Sequence, residues 1–60
     1  MNAAQVKRIR RRLGFTQEGL AKVLGVHPMT VSRWERGTVN IPEPPAKLLR
    51  LLAAQRRSLR

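Results

Sequence analysis

Apolar residues recur along this chain at the spacing of α-helices, and each of the first three such segments ends at a glycine. The first segment opens with Asn2 as an N-cap and Gln5 three positions later, which is the pattern of a capping box. Its apolar positions follow at i, i+3 and i+7, namely Val6, Ile9 and Leu13. Residues at this spacing share one helix face, so the pattern predicts helix one, ending at Gly14.

Two further segments show the same spacing and are separated by a tight turn. The second begins at Thr16, whose hydroxyl suits an N-cap, and its inward positions are Leu20, Ala21 and Leu24. The third has His27 as its cap and Pro28 at the first helical position, where the missing N–H costs nothing. Only residues 25–27 lie between them. Two short helices joined by such a Gly-containing turn predict a helix-turn-helix motif.

A fourth helix is predicted after a loop over residues 38–42, with Pro44 and Pro45 leading into a helix from Ala46 to about Arg57. Its apolar residues cover an arc of about 200°, which is wider than one face needs to seal a small core. The surplus suggests a homodimer through helix four, using Leu48, Leu49, Leu51 and Leu52. The alternative is that a domain this small uses the whole arc internally.

Length and charge narrow the picture further. A chain of 60 residues hides only roughly 60% of its unfolded surface, so we expect a single helix-turn-helix domain over 1–55 and a basic tail over 56–60. No alternating β-branched run is present, and the fold class is therefore all-α. Thirteen Lys and Arg against three acidic residues give a net charge of +10, which favours nucleic acid as the partner.

The same composition argues against several other classes of protein. With one His, three acidic residues and no Cys or Tyr, the chain has few groups for general acid–base or nucleophilic catalysis, so we expect no enzyme, no metal site and no cofactor. No apolar run approaches the ~18 residues of a membrane span. A basic cluster follows the short stretch from Met1 to Val6, where a signal peptide would place an apolar segment. We expect a cytoplasmic, nucleoid-associated protein.

The predicted third helix separates into two faces. At 100° per residue, a polar arc between roughly 40° and 140° holds Met29, Ser32, Arg33 and Arg36, whereas Val31 and Trp34 fall near 300° and 240°. The Arg33 guanidinium can pair with O6 and N7 of guanine, and Met29 could touch a thymine methyl group. Trp34 beside Val31 is predicted as a core anchor. The alternative is that Trp34 stacks on a base of single-stranded nucleic acid.

Three short stretches resemble the Cro/repressor-type (Xre) helix-turn-helix family: Thr16 to Ala21, Leu24 to Val26, and Thr30 to Gly37. The resemblance runs from about Val6 to Leu52 and implies a compact lambda-repressor-like fold of four helices, or five where relatives add one. It implies base contacts from His27, Pro28, Met29 and Arg33. The phosphate contacts that we expect are Thr16, Gln17, Thr30, Ser32, Arg36 and Asn40. For His27 a capping role is the alternative.

Arg10 and Glu35 are predicted to form a structural pair. Each lies ~40° from a core position on its helix, Arg10 beside Val6 and Glu35 beside Val31, so both stand on the edges of the core. The family that the chain resembles has such a pair tying helix one to the recognition helix. The alternative is that both charges are solvated.

The resulting hypothesis is a double-stranded DNA-binding transcriptional regulator of bacterial or phage type, most simply a repressor, with helix three in the major groove. Two alternatives remain open from the sequence. One is an antitoxin-like interaction module that holds a protein partner and binds DNA only for autoregulation. The other is a membrane-active cationic peptide, which would be helical only with lipid.

Overall fold

The computed structural model describes residues 1–58, with side chains as far as residue 55. Four helices follow one another in this part of the chain: α1 (Ala3–Leu13), α2 (Gln17–Leu24), α3 (Pro28–Arg36) and α4 (Glu43–Ser58). They confirm the all-α fold class, and residues 1–58 contain no strand and no fifth helix. None of these helices combines the length and apolarity that crossing a membrane requires. The side chains of the expected basic tail, 56–60, lie outside the described residues.

The helix ends lie where the predicted caps placed them. Asn2 Oδ1 accepts from the backbone N–H of Gln5, and Gln5 Oε1 accepts from that of Asn2, both at 2.9 Å, which confirms the capping box. The caps of α2 and α3 at Thr16 and His27 are confirmed as well. α2 ends at Gly25, where φ is 73° and the N–H turns back to the carbonyls of the last helical turn. Only glycine adopts this left-handed conformation freely, so the residue ends α2 and opens the turn to α3.

Helix α4 begins three residues earlier than the sequence predicts, at Glu43 instead of Ala46. Pro44 and Pro45 lie inside its first turn, and the residue that follows them, Ala46, donates its backbone N–H to the carbonyl of Pro42 at 3.1 Å. The first-turn N–H groups of a helix have no intrahelical acceptor, so prolines there remove no hydrogen bond, and their fixed φ already suits a helix. The two prolines start this helix and do not precede it.

The core draws on all four helices and on the loop before α4. Its buried apolar residues are Val6, Leu20, Ala21, Val31, Trp34, Ile41, Ala46, Leu49 and Ala53. The apolar face predicted for α1 is present, because Val6 is fully buried and Ile9 and Leu13 pack against the core from its sides. Trp34 is 3% exposed, so its ring fills the core and presents no face for base stacking.

The predicted dimer surface on α4 requires one correction. Leu49 is 0% exposed because α4 turns this side chain into the core, where it lies in one cluster with Val6 and Leu20. It therefore cannot belong to a surface between two copies. Leu48 and Leu51 are 38% and 52% exposed, and Leu52 is half-buried. The wide apolar arc is thus divided between the core of this chain and its surface.

Gly19 lies inside α2, where a glycine costs about 1 kcal/mol relative to alanine. A Cβ atom at this position would approach the hydroxyl oxygen of Thr16 to 3.2 Å and the ring of Phe15 to 3.5 Å. The Thr16 oxygen is the N-cap acceptor of α2, bonded to the Gly19 N–H at 2.9 Å. Glycine leaves room for that cap.

Candidate nucleic-acid interface

The helices α2 and α3 pack against each other across a three-residue turn, residues 25–27. The N–H of Val26 donates to the carbonyl of Ala21 at 2.9 Å, which closes the end of α2 before the chain reverses. Leu20 and Ala21 on α2, and Val31 and Trp34 on α3, are the buried residues of the two helices. The opposite side of α3 is left facing outward, in the arrangement of a helix-turn-helix motif.

The outward side of α3 is cationic and also holds one large apolar side chain. Arg33 and Arg36 are exposed, and Met29 is 49% exposed. Between them the helix presents Thr30 and Ser32, both half-buried. The Arg36 guanidinium donates toward the Met29 sulfur at 3.9 Å, a contact two turns apart along one face. This face contains five of the ten residues for which we expected base or phosphate contacts.

His27 and Pro28 lie at the start of α3, His27 exposed and Pro28 half-buried at the first helical position. The His27 Nδ1 accepts from the backbone N–H of Met29 at 3.0 Å, so the ring is the N-cap of α3, which is the alternative role predicted for it. In a neutral imidazole whose Nδ1 accepts, Nε2 bears the proton and is a donor. Capping therefore leaves this ring one outward-facing donor nitrogen.

The other expected phosphate contacts lie at two different places. Thr16 is exposed at the start of α2, where its hydroxyl oxygen already accepts from Gly19 and its O–H is still available as a donor. Asn40 is exposed in the loop between α3 and α4. Within the described part of the chain, no three His or acidic side chains come together as metal ligands.

Arg10 and Glu35 form a two-pronged ion pair that joins α1 to α3. Arg10 Nε donates to Glu35 Oε2 at 2.6 Å, and Arg10 Nη2 donates to Glu35 Oε1 at 3.0 Å. The third guanidinium nitrogen, Nη1, donates to the backbone carbonyl of Phe15 at 2.9 Å. The two side chains are 12% and 4% exposed, so both charges have lost most of their hydration. Parallel N–H···O bonds of this kind fix orientation as well as distance.

The pair stays ionised despite its burial. Burial by itself raises the pKa of Glu35, but hydrogen bonds from Arg10 and Gln17, together with the charges of Arg10 and Lys7, outweigh it and hold that pKa below the ordinary value. For Arg10, the hydrogen bond to Glu35 raises the pKa more than burial lowers it. Each charge thus depends on its partner.

Gln17 is a third side chain in this cluster. The sequence predicted it as a phosphate contact, and nothing in the sequence indicated its contact with Glu35. Its Nε2 donates to Glu35 Oε1 at 3.2 Å, linking the first residue of α2 to the next-to-last residue of α3. The contact depends on how α2 crosses α3, and no local spacing encodes that crossing. Gln17 is half-buried, and its amide nitrogen has a second hydrogen that Glu35 does not use.

Comparison with known protein families gives one result for this chain. A family model described as helix-turn-helix, HTH_3, matches residues 6–55, which is more than half of the sequence and includes α2, α3 and most of α1 and α4. Comparisons with curated proteins and with solved structures give no match.

Proposed function

The chain belongs to the Cro/repressor-type (Xre-like) helix-turn-helix family of DNA-binding regulators, and from that premise we propose that it is a sequence-specific transcriptional repressor. The observation that supports this most directly is the division of α3. Its inner face, with Trp34, is fixed in the core, and its outer face presents Arg33 and Arg36 beside Met29. A helix held in this way can enter the major groove without rearrangement.

In the proposed complex, the exposed residues of α3 read bases. The Arg33 guanidinium donates to O6 and N7 of a guanine, and the Met29 side chain contacts a thymine methyl group. His27 and Pro28, at the end of α3 that enters the groove first, complete the base-facing set. Repression then follows from occupancy, because a protein bound at a promoter excludes other proteins from the same DNA.

The phosphate contacts hold the protein in register without reading sequence. Gln17, at the first turn of α2, donates its free amide N–H to a phosphate while Glu35 keeps the other. Thr16 and Asn40 contact the backbone on either side of the motif, and Arg36 adds a charged contact from the end of α3. Thr30 and Ser32 reach phosphates or the edge of the groove from the flanks of α3.

The test is a comparison of two alanine variants on a selected DNA site and on random DNA. Arg33→Ala should weaken binding to the selected site by about 1–3 kcal/mol and relax the preference at one base position. Asn40→Ala should weaken binding to both DNAs alike, because a phosphate contact from this exposed loop residue carries no sequence information. If Arg33→Ala reduces affinity for both DNAs equally, Arg33 contacts only phosphate and the proposed readout is wrong.

We also propose that the protein binds a two-fold operator as a homodimer through the outer residues of α4, Leu48, Leu51 and Leu52. Half-sites about 34 Å apart would fit such a dimer. Sedimentation of wild type and Leu51→Glu at equal concentration tests this. The charge should shift a wild-type dimer to monomer, whereas Val23→Glu, which adds the same charge at an exposed apolar residue of α2, should leave the dimer intact. A wild type that is monomeric at all concentrations, on and off DNA, contradicts the dimer and leaves a different protein as the partner of α4, as in an antitoxin-like module.

A further inference from the structure

A groove between α1 and α4 has no role in the DNA contacts proposed above. Its volume is about 470 Å³, within the range of about 300–1,000 Å³ that is typical of ligand pockets. Its lining combines three guanidinium groups, one amide and two apolar side chains, from Met1, Gln5, Arg8, Ile9, Arg12 and Arg50. None of these residues is acidic.

The groove faces away from the recognition helix. On α1, Arg10 stands about 40° to one side of the buried Val6, whereas Ile9, Arg12 and Arg8 follow on the other side at about 60°, 120° and 160°. Arg10 is the residue that contacts Glu35 of α3. The groove is therefore on the opposite shoulder of α1, and DNA bound along α3 leaves it open.

The groove is also separate from the exposed leucines of α4. Taking the buried Leu49 as zero, Arg50 lies about 100° to one side of the helix, and the outer leucines lie about 60°, 100° and 160° to the other, in the order Leu52, Leu48 and Leu51. Each of the three is therefore at least about 100° from Arg50 around the helix. A dimer through the leucines would leave the groove uncovered. A ligand there is compatible with both surfaces of the proposed function, and its existence does not depend on either.

The cations of the groove are only partly neutralised. Arg50 pairs with Glu43, an exposed residue two turns earlier on the same face of α4. Arg8 and Arg12 are exposed, and neither has an ion-pair partner among the described side chains. Two like charges one helical turn apart repel each other, a cost that an anionic ligand between them would remove.

The floor of the groove is apolar. Ile9 and Met1 are half-buried and pack against the core, and each leaves part of its surface toward the groove. A phosphate group would satisfy the arginines but would gain nothing from this floor. A peptide segment with an apolar side chain between carboxylates would use both, since apolar area and charge-assisted hydrogen bonds would form together.

We propose that the groove binds a short acidic segment of a partner protein. In this arrangement one apolar side chain of the segment lies on Ile9 and Met1, and flanking Asp or Glu carboxylates accept from Arg8 and Arg12. Arg50 closes the far side by exchanging Glu43 for a carboxylate of the partner. The site lets a second protein attach to the DNA-bound regulator from the side opposite the DNA.

The test uses a fluorescent ten-residue peptide of glutamates with one central leucine, and two variants of matched charge. Arg8→Ala/Arg12→Ala removes two exposed cations at the groove, and Lys7→Ala/Arg11→Ala removes two exposed cations centred about 100° further around the same helix, away from the groove. The groove variant should bind the peptide about tenfold or more weakly, and the control less than about threefold. Both are first shown to be helical and cooperatively folded by circular dichroism.

Amide NMR shifts and a second peptide complete the test. In wild type, the peptide should shift Gln5, Ile9 and Arg50 and leave α3 unchanged, and replacing its leucine by serine should weaken binding. Equal losses in the two variants would mean that the peptide follows total charge, and there is then no site. A short DNA duplex that moves the same groove resonances, with no benefit from the leucine, would make the groove a phosphate contact and also overturn the proposal.

Discussion

Breaking the Arg10–Glu35 pair one residue at a time should cost more stability than replacing both residues together. Three variants form the cycle: Arg10→Met, Glu35→Leu, and the two combined. Each replacement removes a charge and keeps an apolar side chain of comparable bulk. The comparison therefore isolates the dependence of each charge on the other from the packing of the two side chains.

The structure sets the size of the effect. In Glu35→Leu, the Arg10 side chain, 12% exposed in wild type, loses the carboxylate, and only the Phe15 carbonyl still accepts a hydrogen bond from its guanidinium group. A buried charge stranded in this way costs about 3–5 kcal/mol. The free energy of unfolding of a domain of this length is roughly 3–9 kcal/mol, at about 0.05–0.15 kcal/mol per residue. We therefore expect Glu35→Leu to be at the edge of unfolding.

The double variant should recover most of that loss, because replacing a buried ion pair by well-packed apolar residues is often neutral or stabilising. The double variant should nevertheless remain less stable than wild type. The Phe15 carbonyl loses its donor with Arg10, and the Gln17 amide loses its acceptor with Glu35. Each such polar group, if not reached by water, costs about 1–3 kcal/mol.

Urea melts of the four proteins give the coupling energy directly, with trimethylamine N-oxide added equally to all four if the single variants are unfolded in buffer alone. We expect the sum of the two single losses to exceed the loss of the double variant by about 2 kcal/mol or more, in the upper part of the range of about 0.5–3 kcal/mol that residues in contact show in such cycles. If the single losses add within about 0.3–0.5 kcal/mol, the side chains do not interact and the reasoning from burial fails.

The stability of these proteins should also depend on pH to different extents, and the pKa of Glu35 gives the direction of the effect. Its pKa is lowered in the folded state from the ordinary 4.5. The folded state therefore binds this proton less readily than the unfolded chain. The stability that Glu35 contributes is fully present above about pH 4.5 and is lost as the pH falls through the lowered value. Melts from pH 6 to pH 2 should show this loss in wild type and a smaller one in the double variant, which lacks the carboxylate.

Two further predictions concern the core and the charge of the chain. Trp34→Ala should lower the free energy of unfolding by about 3–5 kcal/mol and unfold most of the protein in buffer, because the ring is 3% exposed in the core. A variant that still melts cooperatively and loses only DNA binding would contradict this. Because the chain has a net charge of +10 on 60 residues, its affinity for DNA should fall steeply as salt is added. The logarithm of the binding constant should fall by roughly 0.9 per neutralised phosphate for each unit of log salt concentration. An affinity that does not change with salt would show that these charges do not contact phosphates.

The parts of the fold that the sequence predicts are those that local chemistry determines. An Asn, Thr or His before each helix and a glycine after it are interactions within four residues, so α1, α2 and α3 begin and end where expected. The predicted start of α4 is wrong because two prolines such as Pro44 and Pro45 are found both in the loop before a helix and in the first turn of a helix. Only packing decides such cases. Leu49 differs from its neighbours Leu48 and Leu51 through the rotation of α4 on the core, which the wide apolar arc leaves undetermined.

The cluster at Glu35 explains why an ion pair stands where apolar residues could give similar stability. Its carboxylate accepts from Arg10 on α1 and from Gln17 on α2 while being part of α3, so one group sets the positions of three helices relative to one another. Apolar contacts are not directional and would allow α3 to rotate or slide by small amounts without much cost. A base contact from Arg33 requires the guanidinium fork in the plane of one guanine, which such movement would disturb. The Arg10→Met/Glu35→Leu variant should therefore stay folded and still bind random DNA, while its preference for the selected site over random DNA declines.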